Sequence, residues 1–177
     1  NKSAICRYQG EGKVLKKVTK FKNIWGMSAR NKEQQYAMDL LFDRDVHIMS
    51  LTGPAGTGKT LLATACGLEQ VMNTTSSGGG YDKLIITRPV QPMGRDIGFL
   101  PGTLEEKMMP WIAPIRDNLE HLFGDRTALE MQVEQGTIEI EAMTYIRGRS
   151  IANAFMIVDE AQNLTAHELK TIITRVG

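Results

Sequence analysis

Eight consecutive residues, Gly53-Pro54-Ala55-Gly56-Thr57-Gly58-Lys59-Thr60, have the types and spacing of a phosphate-binding loop, G-x-x-x-x-G-K-[ST]. Glycines let backbone N–H groups close around phosphate oxygens with no Cβ in the way. Lys59 is placed to reach the β- and γ-phosphates as a point charge, and Thr60 to give its hydroxyl to Mg²⁺. The ligand class this chemistry selects is a nucleoside triphosphate.

A second group carries the complementary chemistry. Phe155-Met156-Ile157-Val158 is an apolar run closed by two carboxylates, Asp159 and Glu160, the Walker B form. Asp159 is expected to hold Mg²⁺ through a water, and Glu160 to orient and deprotonate an attacking water. A second acid directly after the first is expected of a hydrolase rather than of a simple binder. Ala161 and Gln162 complete Asp-Glu-Ala-Gln. Gln162 reads either as a γ-phosphate sensor, as a coupler to a bound strand, or as a plain loop hydrogen bond.

Elements must position these groups. Val46–Thr52 is an apolar run of strand length that ends at the loop, and Leu61–Met72 has helical spacing and good helix formers. Strand, loop and helix N-terminus together make an anion site, because unpaired helix N–H groups face the phosphates. Asn31–Phe42 reads as a helix with Tyr36, Leu40 and Leu41 as its apolar stripe. Lys83–Arg88 is strand-like and stops at Pro89, which cannot continue a central ladder. Thr103-Leu-Glu-Glu106 fits a capping box that opens a helix, and Pro110 and Pro114 are expected to break that helix into pieces. Ile115–Phe123 reads as a helix ended by Gly124, and Asp125–Gln135 as another with Gly136 as its C-cap. Thr137–Ala142 alternates like a strand, and Ala154–Val158 reads as a buried one. Thr165-Ala-His-Glu168 is a further capping box, opening a helix that runs to about Val176. Asn73–Gly80, Val90–Gly102 and Tyr145–Ser150 read as loops. The alternation from residue 46 onward predicts an α/β fold with a parallel, helix-covered sheet. Ligands of such sheets sit at the carboxyl ends of the strands.

Before the core, Ala4–Gln9 and Lys13–Thr19 around Gly10-Glu11-Gly12 predict a β-hairpin, so residues 1–24 form a connector and residues 25–177 the core. Residues 1–32 hold Lys2, Arg7, Lys13, Lys16, Lys17, Lys20, Lys22, Arg30 and Lys32 against Glu11 alone, although the net charge of the chain is only +1. That is either a nucleic-acid footprint or a solvated basic face. Cys6 and Cys66 have neither metal-ligand nor disulfide spacing, and His47, His121 and His167 are scattered. No apolar run has membrane-spanning length and no secretory signal pattern is present, so a reducing cytoplasm is the default expectation. The chain starts without Met and ends just after a helix, and it reads as a fragment of something longer.

Other polar residues have two readings each. Superfamily 1 helicases carry a glutamine upstream of the P-loop that reads the adenine edge. Gln34 fits that role, with Gln35 as neighbour, but Asn31-x-x-Gln34 is also a capping-box pattern. Arg88, at the end of its strand in Thr87-Arg88-Pro89, suits a phosphodiester backbone or a γ-phosphate. Arg147 and Arg149 flank a glycine and suit phosphate oxygens or a solvated turn, and Arg175 shares that ambiguity.

Together these motifs resemble the PhoH-like family of P-loop ATPases. The resemblance rests on Asn31-x-Glu-Gln34, Gly53–Thr60, Thr87–Pro89, Gly94–Gly102, Glu106–Trp111, Arg147–Ser150 and Asp159–Asn163. It implies a RecA-like P-loop core related to superfamily 1 helicases, with ATP and Mg²⁺ as cofactors. It also implies single-stranded RNA as partner, and a ring-shaped homo-oligomer such as a hexamer, with an arginine (Arg88, Arg147, Arg149 or Arg175) acting on the γ-phosphate. The N-terminal hairpin is similar to the connector of members with an upstream PIN ribonuclease domain. Members of the family continue beyond this point with a strand ending in Gly-Asp-x-x-Gln, a γ-phosphate sensor, which this chain does not reach. The competing expectations are a small-molecule or nucleoside kinase on the same fold, and a nucleotide-binding regulator without turnover.

Overall fold

The structure is a computed structural model and describes residues 4–10, 12, 14–73, 80–89, 104–143 and 151–175. The chain falls into two compact units, Asn1–Glu69 and Gln70–Gly177.

In the first unit, β1 (Cys6–Arg7) pairs antiparallel with β2 (Lys16–Lys17), Cys6 opposite Lys17. The expected hairpin is present, with a ladder shorter than the sequence suggests. It is fastened to helix α1 (Lys32–Leu41). Arg7 bonds Asp43 and lies 3.8 Å from Asp39. Thr19 N–H donates to Asp39 Oδ1 at 2.8 Å, and Phe21 stacks on Phe42 with ring centroids 4.3 Å apart. The Arg7 hydrogen bond, opposed by burial, holds the Asp43 carboxyl below its ordinary range. Two of the nine basic residues, Arg7 and Lys16, are therefore neutralised locally, while Lys17, Lys20, Lys22, Arg30 and Lys32 stay exposed.

Val46–Thr52, expected as the strand before the loop, forms no strand. The Val46 N–H turns back to Asp43 O at 3.0 Å, and Ile48 is 66% exposed. An apolar run sets a preference for extended backbone, but a strand exists only through a ladder, and this run has none. Helix α2 (Lys59–Met72) comes next. Leu62, Ala65, Cys66 and Leu68 are buried along it. Burial, with Glu69 adding its charge, pushes the Cys66 thiol up to about 12.

The second unit is built on a three-stranded parallel sheet ordered β4 (Ile138–Ala142), β3 (Lys83–Arg88), β5 (Ala154–Val158). These strands fall where the apolar runs predict. Register sets Thr87 opposite Glu141 on one side and Val158 on the other. The central strand is the most buried, with Leu84, Ile85 and Ile86 at 0–1% exposure, as expected where strands flank it on both sides.

Helix α3 (Leu104–Phe123) corrects a second expectation, since it runs unbroken through Pro110 and Pro114. Each proline costs a helix interior about 3 kcal/mol. Met108, Ile115, Leu119 and Leu122 are buried at helical spacing, and each such side chain contributes roughly 1.5–3 kcal/mol. Both prolines lie on the exposed side, so the carbonyls they leave unpaired can be solvated. Helix α4 (Arg126–Glu134) is capped by the Asp125 side chain, which accepts from Thr127 N–H, and ends before Gly136 as expected. Helix α5 (Ala166–Ile173) opens with the predicted capping box: Thr165 and Glu168 each accept the other's backbone N–H. The architecture is a parallel sheet with helices on both faces, preceded by an antiparallel hairpin, and it matches a RecA-like P-loop fold.

Candidate functional site

The loop Gly53–Thr60 takes its shape from three glycines with positive φ, Gly53 at +156°, Gly56 at +76° and Gly58 at +80°. A Cβ on Gly56 would meet nothing within 4 Å, so conformation rather than space demands glycine there. Thr57 Oγ1 donates to Pro54 O at 2.9 Å, closing the turn from inside. Lys59 folds back over the loop, with Nζ donating to Gly53 O and Pro54 O, both at 2.8 Å. Gly58, Lys59 and Thr60 lead directly into α2, whose first N–H groups have no partner within the helix. The loop thus brings together three glycines of positive φ, a helix N-terminus and the Lys59 ammonium, an arrangement that suits phosphate oxygens.

The Gln34 side chain bonds two backbone groups. Its Oε1 accepts from Arg30 N–H at 2.8 Å, and its Nε2 donates to Thr57 O at 3.2 Å. Its own N–H donates to Asn31 Oδ1 at 2.8 Å, which caps α1. The Asn31 cap is thus formed, but the capping box is not completed, because the Gln34 side chain takes the Arg30 N–H and not that of Asn31. The contact with Thr57, in the middle of the phosphate loop, has no local signature in the sequence.

In the second unit the strand ends carry the acids. Asp159 N–H donates to Thr87 O at 2.8 Å, extending the β3–β5 ladder one residue past β5. The Asp159 side chain is mostly buried at 13% exposure, and that of Glu160 is more open at 39%. Glu160 has left-handed backbone, φ 52° and ψ 39°, and leads into a 3-10 turn, Ala161–Asn163. A non-glycine residue there is uncommon and mildly strained, as functional sites often are. Arg88 Nη1 lies 3.7 Å from Asp159 Oδ2, Arg88 Nη2 lies 3.9 Å from Glu160 Oε1, and Gln162 Nε2 donates to Glu160 Oε2. Arg88 therefore faces the two acids, which its strand-end position alone could not reveal.

Of the other arginines, Arg175 is exposed beyond α5, and its carbonyl accepts from Ile151 N–H at 3.1 Å. Arg147 and Arg149, the Gly94–Gly102 segment and Thr103 lie outside the described residues. Among the described residues no group of three or more His, Cys, Asp or Glu side chains forms an all-protein metal site. Taken singly, Asp159 in the second unit and Thr60 in the first are each a hard oxygen donor of the kind Mg²⁺ takes.

The fold and the loop geometry define a RecA-like P-loop protein. Residues 26–177 match the family described as PhoH-like protein. Protein PhoH2 of Bacillus subtilis (strain 168) is 50% identical over 179 residues, covering 99% of this chain and 40% of that protein. Protein PhoH2 of Mycolicibacterium smegmatis is 41% identical over 88% of this chain and 35% of that protein. A PhoH-like protein of Synechocystis sp. is 43% identical over 71% of this chain and 36% of its own length. The chain belongs to the PhoH-like family, a group associated generally with nucleotide-dependent activity. It spans 40% or less of the length of these relatives.

Proposed function

We propose that this chain is an ATP-hydrolysing core, Mg²⁺-dependent and coupled to single-stranded RNA. The observation that carries the reading is the loop Gly53–Thr60, closed by its own Lys59 at the N-terminus of α2. Among the described residues Lys59 bonds two neutral carbonyls there, and a triphosphate offers it full negative charge instead. Backbone N–H groups of the loop and of α2 bind the phosphates. By their motif roles, Asp159, through a water, and the Thr60 hydroxyl would each supply an oxygen to Mg²⁺, which would neutralise charge on the β- and γ-phosphates when bound. Glu160 orients the attacking water and takes its proton. The adjacency of Asp159 and Glu160 favours water over an alcohol acceptor, so hydrolysis is preferred to a kinase reaction.

Gln34 ties α1 to the loop through Thr57. Adenine reading by the same amide requires it to exchange both of its present backbone bonds. Coupling to RNA rests on family membership and on the exposed Lys17, Lys20, Lys22, Arg30 and Lys32. Strand separation, a ring-shaped oligomer with an arginine acting in trans, and a cytoplasmic setting belong to the same proposal. No described helix is long and apolar enough to cross a membrane.

The test is phosphate release from ATP with and without single-stranded RNA. Turnover rises with RNA, falls with added salt as phosphate contacts are screened, and vanishes in Lys59→Ala. Flat turnover across RNA and DNA removes the coupling, and a phosphorylated acceptor in place of free phosphate replaces hydrolysis with group transfer.

A further inference from the structure

Asp159 and Glu160 are sequence neighbours with like charge, and like charges so close repel unless a cation lies near. The end of β3 supplies one. The two terminal nitrogens of Arg88 address different acids, Nη1 towards Asp159 at 3.7 Å and Nη2 towards Glu160 at 3.9 Å. These separations exceed a direct hydrogen bond, so the contact is Coulombic. The other Glu160 oxygen, Oε2, accepts from Gln162. Both carboxylate oxygens of Glu160 are thus engaged, on a backbone held in the left-handed region. The support beneath is rigid: Thr87 is fully buried, and its carbonyl takes the Asp159 N–H at 2.8 Å, so the ends of β3 and β5 are locked together.

We propose that Arg88 and Gln162 are positioning residues that aim Glu160 from opposite oxygens. This inference rests on reading Glu160 as the group that activates water. While Arg88 spans the two acids its charge is directed inward, which assigns it to the alignment of the water-activating carboxylate rather than to the phosphodiester contact its sequence position suggests. Gln162, reached from the end of β5 by way of the 3-10 turn, serves the same carboxylate.

The magnitude comes from geometry. A carboxylate misplaced by about 1 Å costs on the order of 100-fold in rate. Loss of one of two restraints on Glu160 should therefore lower kcat by about 10- to 100-fold. Ground-state binding does not involve this aim, so the KM for ATP stays within about threefold. Lysine keeps the charge but cannot span two acids, so it restores part of the rate.

Steady-state phosphate release and equilibrium ATP binding are measured on the full chain as wild type, Arg88→Ala, Arg88→Lys, Gln162→Ala, Glu160→Gln and the double variant Arg88→Ala/Glu160→Gln. The expected result is a fall in kcat for Arg88→Ala and Gln162→Ala with KM retained, partial rescue by Arg88→Lys, and no further loss when Arg88→Ala is added to Glu160→Gln. Gln162 lies on an exposed turn, so its variant carries the test if Arg88→Ala does not fold. Unchanged kcat in Arg88→Ala, a raised KM with kcat retained, or losses that multiply with Glu160→Gln overturn the proposal while leaving hydrolysis intact. Absence of Glu160-dependent turnover in the wild type overturns the hydrolysis reading and this proposal with it.

Discussion

Replacing Gln34 by alanine separates two roles that share one amide. The substitution removes the acceptor for Arg30 N–H at 2.8 Å and the donor to Thr57 O at 3.2 Å. Both are neutral and partly solvated, and a bond of that kind contributes about 0.5–1.5 kcal/mol net. Together they amount to roughly 1–3 kcal/mol of restraint on the loop, or about a 5- to 150-fold loss of affinity if that restraint preorganises the phosphate site. A loop restraint acts on phosphates and not on the base. Calorimetric titration with ATP, GTP and tripolyphosphate should therefore show Gln34→Ala weakening all three by a similar factor. Asn31→Ala is the control. It removes the α1 cap at a cost of about 1 kcal/mol in stability, yet leaves the amide of Gln34 able to reach Thr57. A loss confined to ATP, with GTP and tripolyphosphate unchanged, would refute the restraint argument and assign Gln34 to adenine.

Packing and charge lead to three more outcomes. The Asp43 carboxyl is held below its ordinary value of 3.8 by Arg7, so its contribution is full above that value and is lost as pH falls through the depressed folded-state pKa. Chemical denaturation of the wild type should lose stability below about pH 4 more steeply than Asp43→Asn, and parallel curves would dismiss the pairing. Cys66, buried in α2 with its thiol pushed up to about 12, should resist alkylation at about pH 8 until the protein unfolds, whereas rapid native-state labelling would contradict its burial. Pro114→Ala should raise stability by up to about 3 kcal/mol if α3 runs through that position; a neutral or negative change in the denaturation midpoint would mean that the chain there is not continuous helix.

Much of this architecture is legible in the sequence because its cues are local. The β5 strand announces itself as apolar residues ending in two acids, and Thr165-x-x-Glu168 forms the capping box that its spacing predicts. The backbone turn of Gly53–Thr60 is likewise a short-range matter of glycine φ angles and one lysine. What is not legible is non-local. Val46–Thr52 has strand-like residues but no ladder, because pairing depends on partners elsewhere in the chain. Pro110 and Pro114 read as breaks because propensity counts the lost bonds and does not see the apolar stripe from Met108 to Leu122 that offsets them. Arg88 and Gln34 each have a plausible ligand in sequence terms, yet their nearest partners are protein groups that chain folding brings to them.

The central claim is that Glu160 makes this phosphate loop a hydrolytic one, and single-turnover ATP hydrolysis by Glu160→Gln, with binding measured in parallel, tests it most directly. The account predicts ATP affinity within about threefold of wild type and a rate of phosphate release lower by about 100- to 10,000-fold, the range expected when a general base is removed. Wild-type phosphate release from Glu160→Gln would contradict it.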